Sequence, residues 1–102
     1  MKIEPHRASR NLREIILFIG IQGGTYPRWY VGLTSDWENS LFTEHNVPQE
    51  DYRYIIRQCH SNVAARSVKE ALLQLGCDCE IDGDDEKAVY VYAYIKRPMT
   101  NP

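Results

Sequence analysis

An α/β sandwich is the fold class this sequence predicts, and three stretches predict it. Ala88–Lys96 alternates strictly, with Val89, Val91, Ala93 and Ile95 set against Tyr90, Tyr92 and Tyr94, the period of a strand. Between Ser61 and Gly76 the apolar residues Ala64, Ala65, Val68, Ala71, Leu72 and Leu75 recur at helical spacing. Two apolar runs, Glu14–Gln22 and Trp29–Thr34, flank Gly23-Gly24 and Pro27 and read as an antiparallel hairpin. Strands and helices mixed in this way are solved by helices packed on a mostly antiparallel sheet, an α+β arrangement.

Element by element, the expected order is β-β-α-β-α-β. Met1–Asn11 carries Pro5 and scattered charge without a period, so an irregular arm is expected there. The two strands of the hairpin follow. Ser35–His45 reads as a short helix, because Ser35 and Glu38 have capping-box spacing and Trp37 and Leu41 fall on one side. Asn46 and Pro48 end it. Tyr52–Cys59 is the third strand, with Tyr52, Tyr54 and Ile56 on one face. The second helix has Ser61 as N-cap and Gly76 just past its end. An acidic connector over 78–86 leads to the last strand, and 97–102 is a short tail. The chain of 102 residues fits one domain with one core.

Composition narrows the function. No apolar run approaches the ~20 residues that span a bilayer, so no membrane partner is expected. Cys59, Cys77 and Cys79 are odd in number and do not form a disulfide framework, which points to a reducing cytoplasm. The net charge of −2 lacks the basic surplus of most nucleic-acid binders, so the balance leans to a protein partner over nucleic acid. Local basic character remains at Lys2, Arg7, Arg10 and Arg13, opposed by the acidic residues of 78–86.

Trp29-Tyr30-Val31-Gly32-Leu33-Thr34-Ser35-Asp36 resembles the second signature of GIY-YIG nuclease domains. Tyr30-Val31-Gly32 stands for the family's tyrosine–isoleucine–glycine triplet, and Thr34 falls where threonine is frequent. The element order over roughly Glu14–Leu75 is similar too. The resemblance implies a tyrosine that activates water, an arginine on the first helix for the phosphate, and a glutamate on the later helix for one divalent metal.

The chain departs from that pattern at the groups that cut. No glycine–isoleucine–tyrosine triplet opens the first strand. Ser40 stands at the arginine's place and cannot supply a bidentate cation. Ala65 matches the alanine preceding the metal-binding glutamate, but that glutamate's place is taken by Lys69, which repels a metal. Glu70 does not rescue the site: the apolar face centres near Val68, Lys69 lies about 100° round, and Glu70 faces solvent.

The expected function is therefore a non-catalytic GIY-YIG-like binding module for protein or nucleic acid. Its candidate contact residues are Tyr30, Arg28, Arg53, Arg57, Arg7, Arg10 and Arg13, and no cofactor is expected. One alternative is an active nuclease with relocated catalytic groups and magnesium; another is a small inhibitor that uses 78–86 to fill a partner's nucleic-acid site. Weaker patterns have ordinary readings. Cys59-His60 with Cys77-x-Cys79 supplies zinc-type ligands at unusual spacing, and simple thiols are the better reading. Asp78–Asp84 copies half of a calcium loop, but Val89 stands where the closing glutamate belongs, so a solvated connector is expected. Cys59 with His45 or His60 is a remote candidate for a thiol nucleophile. Tyr90, Tyr92 and Tyr94 could stack bases or form an interface, but packing under a helix or lining a half-exposed sheet is the more ordinary expectation.

Overall fold

The computed structural model describes residues 3–50, 53–79 and 86–102. It is an α+β domain built on one five-stranded sheet: β1 (Pro5–His6), β2 (Trp29–Thr34), β3 (Tyr54–Cys59), β4 (Asp78–Cys79) and β5 (Tyr90–Ile95). The spatial order is β1-β3-β5-β2-β4. β5 pairs antiparallel with both β2 and β3, through the longest ladders of the sheet. β1 joins β3, and β4 joins β2, in parallel pairings only two residues long. Since β2 and β3 both oppose β5, β1 to β4 all run one way and β5 alone runs against them. Helices α1 (Ala8–Ile21) and α2 (Asn62–Leu75) complete two interleaved β-α-β units, β1-α1-β2 and β3-α2-β4.

The observed order corrects the expected one. Glu14–Gln22 is not a strand, and the hairpin with Trp29–Thr34 does not exist; β2 finds its antiparallel partner in β5. The unbroken apolar run Ile15–Ile19 imitates a buried strand, and periodicity alone does not separate the two over so short a window. Its helical character emerges only when the polar residues from Ala8 onward are included, because Asn11, Ile15 and Ile19, spaced by one turn, are the buried ones. The expected irregular arm is likewise wrong beyond its first residues: Pro5–His6 is an edge strand and α1 starts at Ala8.

Asn11 joins these parts. Its Nδ2 donates to the carbonyls of His6 at 3.2 Å and Gln58 at 2.8 Å, and to Cys59 Sγ at 3.3 Å, fastening α1 to β1 and β3. Its Oδ1 is buried without a hydrogen-bond partner.

α2 follows the sequence closely. Ser61 Oγ accepts from the Ala64 amide at 3.1 Å, and Gly76 takes the left-handed conformation, φ 116°, that ends the helix. Val68 and Leu72 are buried, and Glu70 is exposed. Both helices lie on one face of the sheet, where Ile15, Ile19, Ala65, Val68 and Leu72 pack on Trp29, Val31, Ile55, Val91, Ala93 and Ile95. Strand alternation sends Tyr30, Ile56, Tyr92 and Tyr94 to the other face, under Leu41, Val47 and Phe42 of the long connection between β2 and β3. That connection contains a π-helical turn, Asn39–Glu44, shorter than the expected helix. The turn begins later than the Ser35–Glu38 capping box implies, with Glu38 at its N-cap. Thr34 Oγ1 accepts from the Asp36 amide and Asp36 Oδ1 from the Asn39 amide.

Among the described residues, no helix is long and apolar enough to cross a membrane. Tyr52 and most of the acidic connector, with the half calcium loop, lie outside the described residues.

Candidate functional site around His45

The site is built on the sheet face opposite the helices. Tyr30 of β2 stands opposite Tyr94 of β5, and Gly32 stands opposite Tyr92. A Cβ at Gly32 would collide with the Tyr92 hydroxyl and lie 2.8 Å from its Cε1, so this glycine is the slot that receives the Tyr92 ring. Tyr92 and Tyr94 lie almost parallel, with ring centroids 6.5 Å apart. Their hydroxyls converge on His45, which follows the π-helical turn and is 7% exposed.

His45 is held on both nitrogens. Nε2 lies 2.7 Å from the Tyr92 hydroxyl. Nδ1 lies 2.6 Å from the Asn101 carbonyl oxygen and 3.0 Å from the Tyr94 hydroxyl. Asn46 beside it adopts φ 54°, a left-handed conformation that asparagine tolerates, and this turns the chain back over the sheet. The Tyr30 ring packs on His45 at 4.8 Å and on Tyr94 at 5.3 Å. Burial, and after it the nearby Tyr30 and Asp78, pushes the Tyr94 phenol well above its ordinary pKa, so Tyr94 stays protonated at any physiological pH.

Beside this cluster lies a cavity of about 480 Å³, lined by Tyr30, Glu44, His45, Asp78, Cys79, Asn101 and Pro102. Among the described residues that line it, two are carboxylates and none is a lysine or arginine. Asp78 accepts from Lys96 Nζ at 3.1 Å, and Glu44 from Asn39 Nδ2 at 3.2 Å.

The structure distributes the sequence candidates unevenly. Tyr30 is in the site, largely buried against its neighbours. Ser40 is buried within the π-helical turn, and its Oγ donates to Thr34 Oγ1 at 2.7 Å. Lys69 is buried in α2, on the opposite side of the sheet from the cavity. Arg57 also belongs to the helix side. Its Nε donates to Glu14 Oε2 at 3.0 Å, and the other oxygen of Glu14 accepts from Arg10 at 3.0 Å. Burial raises the Glu14 pKa, but the hydrogen bonds and charges of Arg10 and Arg57 outweigh it and hold the carboxyl below its ordinary value. Arg7, Arg13, Arg28 and Arg53 are exposed, and none borders the cavity.

Neither cysteine pattern assembles. Cys59 is buried on the helix face, away from His45, and burial raises its pKa against the Asn11 hydrogen bond. Cys77 is buried too, which pushes its thiol up to about 11. Among the described residues no three histidine, cysteine or carboxylate side chains come together as a metal-binding group. In the sequence His45 has meaning only as a partner for Cys59, and nothing there marks Glu44 or Asn101. The one signal for the cluster is the tyrosine stripe of β5, whose hydroxyls need buried partners.

No family model matches this chain, no curated protein matches it, and no solved structure matches it.

Proposed function

We propose that this chain is a binding module without bond-cleaving chemistry, and that its recognition site is the Tyr30–His45 cavity. The ligand is a cationic side chain, lysine or arginine, presented by a partner protein. One observation carries this reading: among the described residues that line the cavity, Glu44 and Asp78 are carboxylates and none is a lysine or arginine, although Lys96 already pairs with Asp78 from beside it. Such a lining favours an ammonium or guanidinium group, and the Tyr30 ring adds a surface on which a cation can rest. It repels a phosphate, so nucleic acid is the less suited partner. Ser40 and Lys69, the places of the nuclease arginine and glutamate, are buried structural residues, which also fits a fold that binds without cutting. Three free thiols suit a reducing, cytoplasmic setting.

The test is titration of the purified protein with short arginine- and lysine-containing peptides, alongside acetyl-lysine and citrulline versions and a DNA duplex. Saturable, salt-sensitive binding of the cationic peptides is expected. Glu44→Gln should weaken it by about 10-fold or more, since charge-assisted hydrogen bonds are worth roughly 1.5–3 kcal/mol. Equal binding of the neutral peptides would end this reading.

A second reading, a metal-dependent GIY-YIG nuclease with relocated groups, is favoured by the imidazole of His45 lying between two tyrosine hydroxyls. In that reading His45 and a tyrosine move the proton of the attacking water, and Glu44 and Asp78 offer hard oxygens to magnesium. Magnesium-dependent cleavage of DNA or RNA that disappears in both His45→Gln and Tyr30→Phe would replace the binding reading with this one.

A further inference from the structure

We propose that the segment Lys96–Pro102 is a positioning strap that decides which ring nitrogen of His45 carries the proton. Backbone and side-chain bonds fasten the segment over the site. The Asn101 amide donates to the His45 carbonyl at 2.8 Å, and Asn46 Nδ2 donates to the Met99 carbonyl at 2.9 Å. Thr100, 6% exposed, closes the turn: its Oγ1 accepts from the Arg97 amide at 3.0 Å and donates to the Arg97 carbonyl at 2.9 Å. Asn101 and Pro102 form one wall of the cavity.

The chemistry follows from what a carbonyl can do. An amide oxygen only accepts, so a separation of 2.6 Å between the Asn101 oxygen and His45 Nδ1 places a hydrogen on Nδ1. In the neutral ring Nε2 is then a lone pair, and the Tyr92 hydroxyl donates to it. Without the strap, the hydroxyl of Tyr94 is the neighbour of Nδ1, and a hydroxyl can donate as well as accept. Nδ1 is then free to become the acceptor, with the proton on Nε2 and Tyr92 accepting from it. Strap on, Nε2 is a base directed at a phenol; strap off, it can be a donor. Asn101 therefore acts through His45 and is a positioning residue. The same movement opens a wall of the cavity, so attachment of the strap and access of a ligand are coupled. This last consequence rests on the cavity being the recognition site, whereas the tautomer does not.

The experiment reads the His45 ring directly, by two-dimensional NMR of nitrogen-15-labelled full chain at a pH where the ring is neutral. The wild type is expected to show the Nδ1-protonated pattern. Thr100→Val, which keeps the shape but deletes both hydroxyl bonds, and Asn101→Pro, which deletes the amide bond to His45, should shift the ring towards the Nε2-protonated pattern. Thr100→Ser should restore the wild-type pattern. An Nε2-protonated wild type overturns the proposal by itself, even if a variant fails to fold. An unchanged tautomer in folded Thr100→Val and Asn101→Pro overturns it as well. Arginine-peptide titration of the same samples separates the two ideas. A tautomer shift with no peptide binding in any sample sinks the recognition reading and leaves the strap standing.

Discussion

Gly32→Ala places one methyl group against the most constrained ring of the site. The added Cβ would overlap the Tyr92 hydroxyl and the end of its ring. A ring end can swing away when it is loose, but Tyr92 is 4% exposed, lies parallel to Tyr94 and is bonded to His45 at 2.7 Å. Moving it costs two separable amounts. Overpacking in a filled interior costs roughly 1–3 kcal/mol. Breaking the buried bond to His45 leaves polar groups unsatisfied, at roughly 1–3 kcal/mol. The sum, about 2–6 kcal/mol, is a large part of the ~5–15 kcal/mol that holds a domain of this size together. Each kcal/mol is worth about 4–8 °C in Tm for a domain of 60–100 residues, so a fall of at least about 8 °C is expected. Urea denaturation and a thermal scan measure it. Tyr92→Phe supplies the second half of a cycle: it removes the hydroxyl but not the ring, so part of the Gly32→Ala cost should vanish in the double variant. A Gly32→Ala protein that melts within 2 °C of wild type (~2 °C being a few tenths of a kcal/mol) would refute the argument that Gly32 is the slot for Tyr92.

Three further outcomes follow from the packing. Val68→Asp should unfold the domain, because it buries an unpaired carboxylate where the side chain is 1% exposed, while Glu70→Ala should leave Tm nearly unchanged; thermal scans of the two compare directly. Glu14→Gln should cost about 0.2–1 kcal/mol at neutral pH, as for partly exposed ion pairs. Because the folded Glu14 pKa is lowered, the wild-type advantage is full above the ordinary carboxylate value of 4.5 and disappears as pH falls through the lower folded value, which a series of urea melts across acidic pH will trace. At pH 8 a disulfide reagent should label the partly exposed Cys79 first and the buried Cys77, with its thiol pushed up to about 11, only slowly; equal rates would contradict the burial of Cys77.

How much of this was legible in the sequence depended on how local each signal is. α2 is written out between Ser61 and Gly76, because its caps and its apolar period lie within the helix itself. β5 declares itself by alternation, although its true extent, Tyr90–Ile95, is shorter than Ala88–Lys96 at both ends. α1 looks like a strand in the sequence because Ile15, Ile16, Leu17, Phe18 and Ile19 are contiguous, yet three of the five face or border solvent, Leu17 at 58%. The hairpin fails with it: once Glu14–Gln22 is helix there is no neighbouring strand for Trp29–Thr34, and β5, far along the chain, takes the antiparallel place. Tyr30 was visible within its triplet. His45 was not, because every group that gives it meaning (Tyr92, Tyr94, Asn101) is brought to it by the sheet rather than by spacing. Ser40 and Lys69 were weighed as replacements for catalytic groups, and their burial explains them more simply as parts of the two layers.

The central place of β5 has a consequence for how the molecule forms. The strand that binds the left half of the sheet to the right half is the last of the described strands in the chain. Before it is in place, β1 with β3 and β2 with β4 are two short parallel ribbons, each with a helix and neither with a ladder to the other. Every long ladder joins residues distant in sequence, such as Trp29 with Ile95, so chain closure must precede most of the stabilising contacts. The domain should therefore assemble late and all at once, on the millisecond-to-second scale of non-local topologies rather than the faster scale of helical bundles. A chain stopped before Tyr90 would hold two helices with exposed apolar faces and two unpaired strand edges, a species inclined to aggregate rather than to wait.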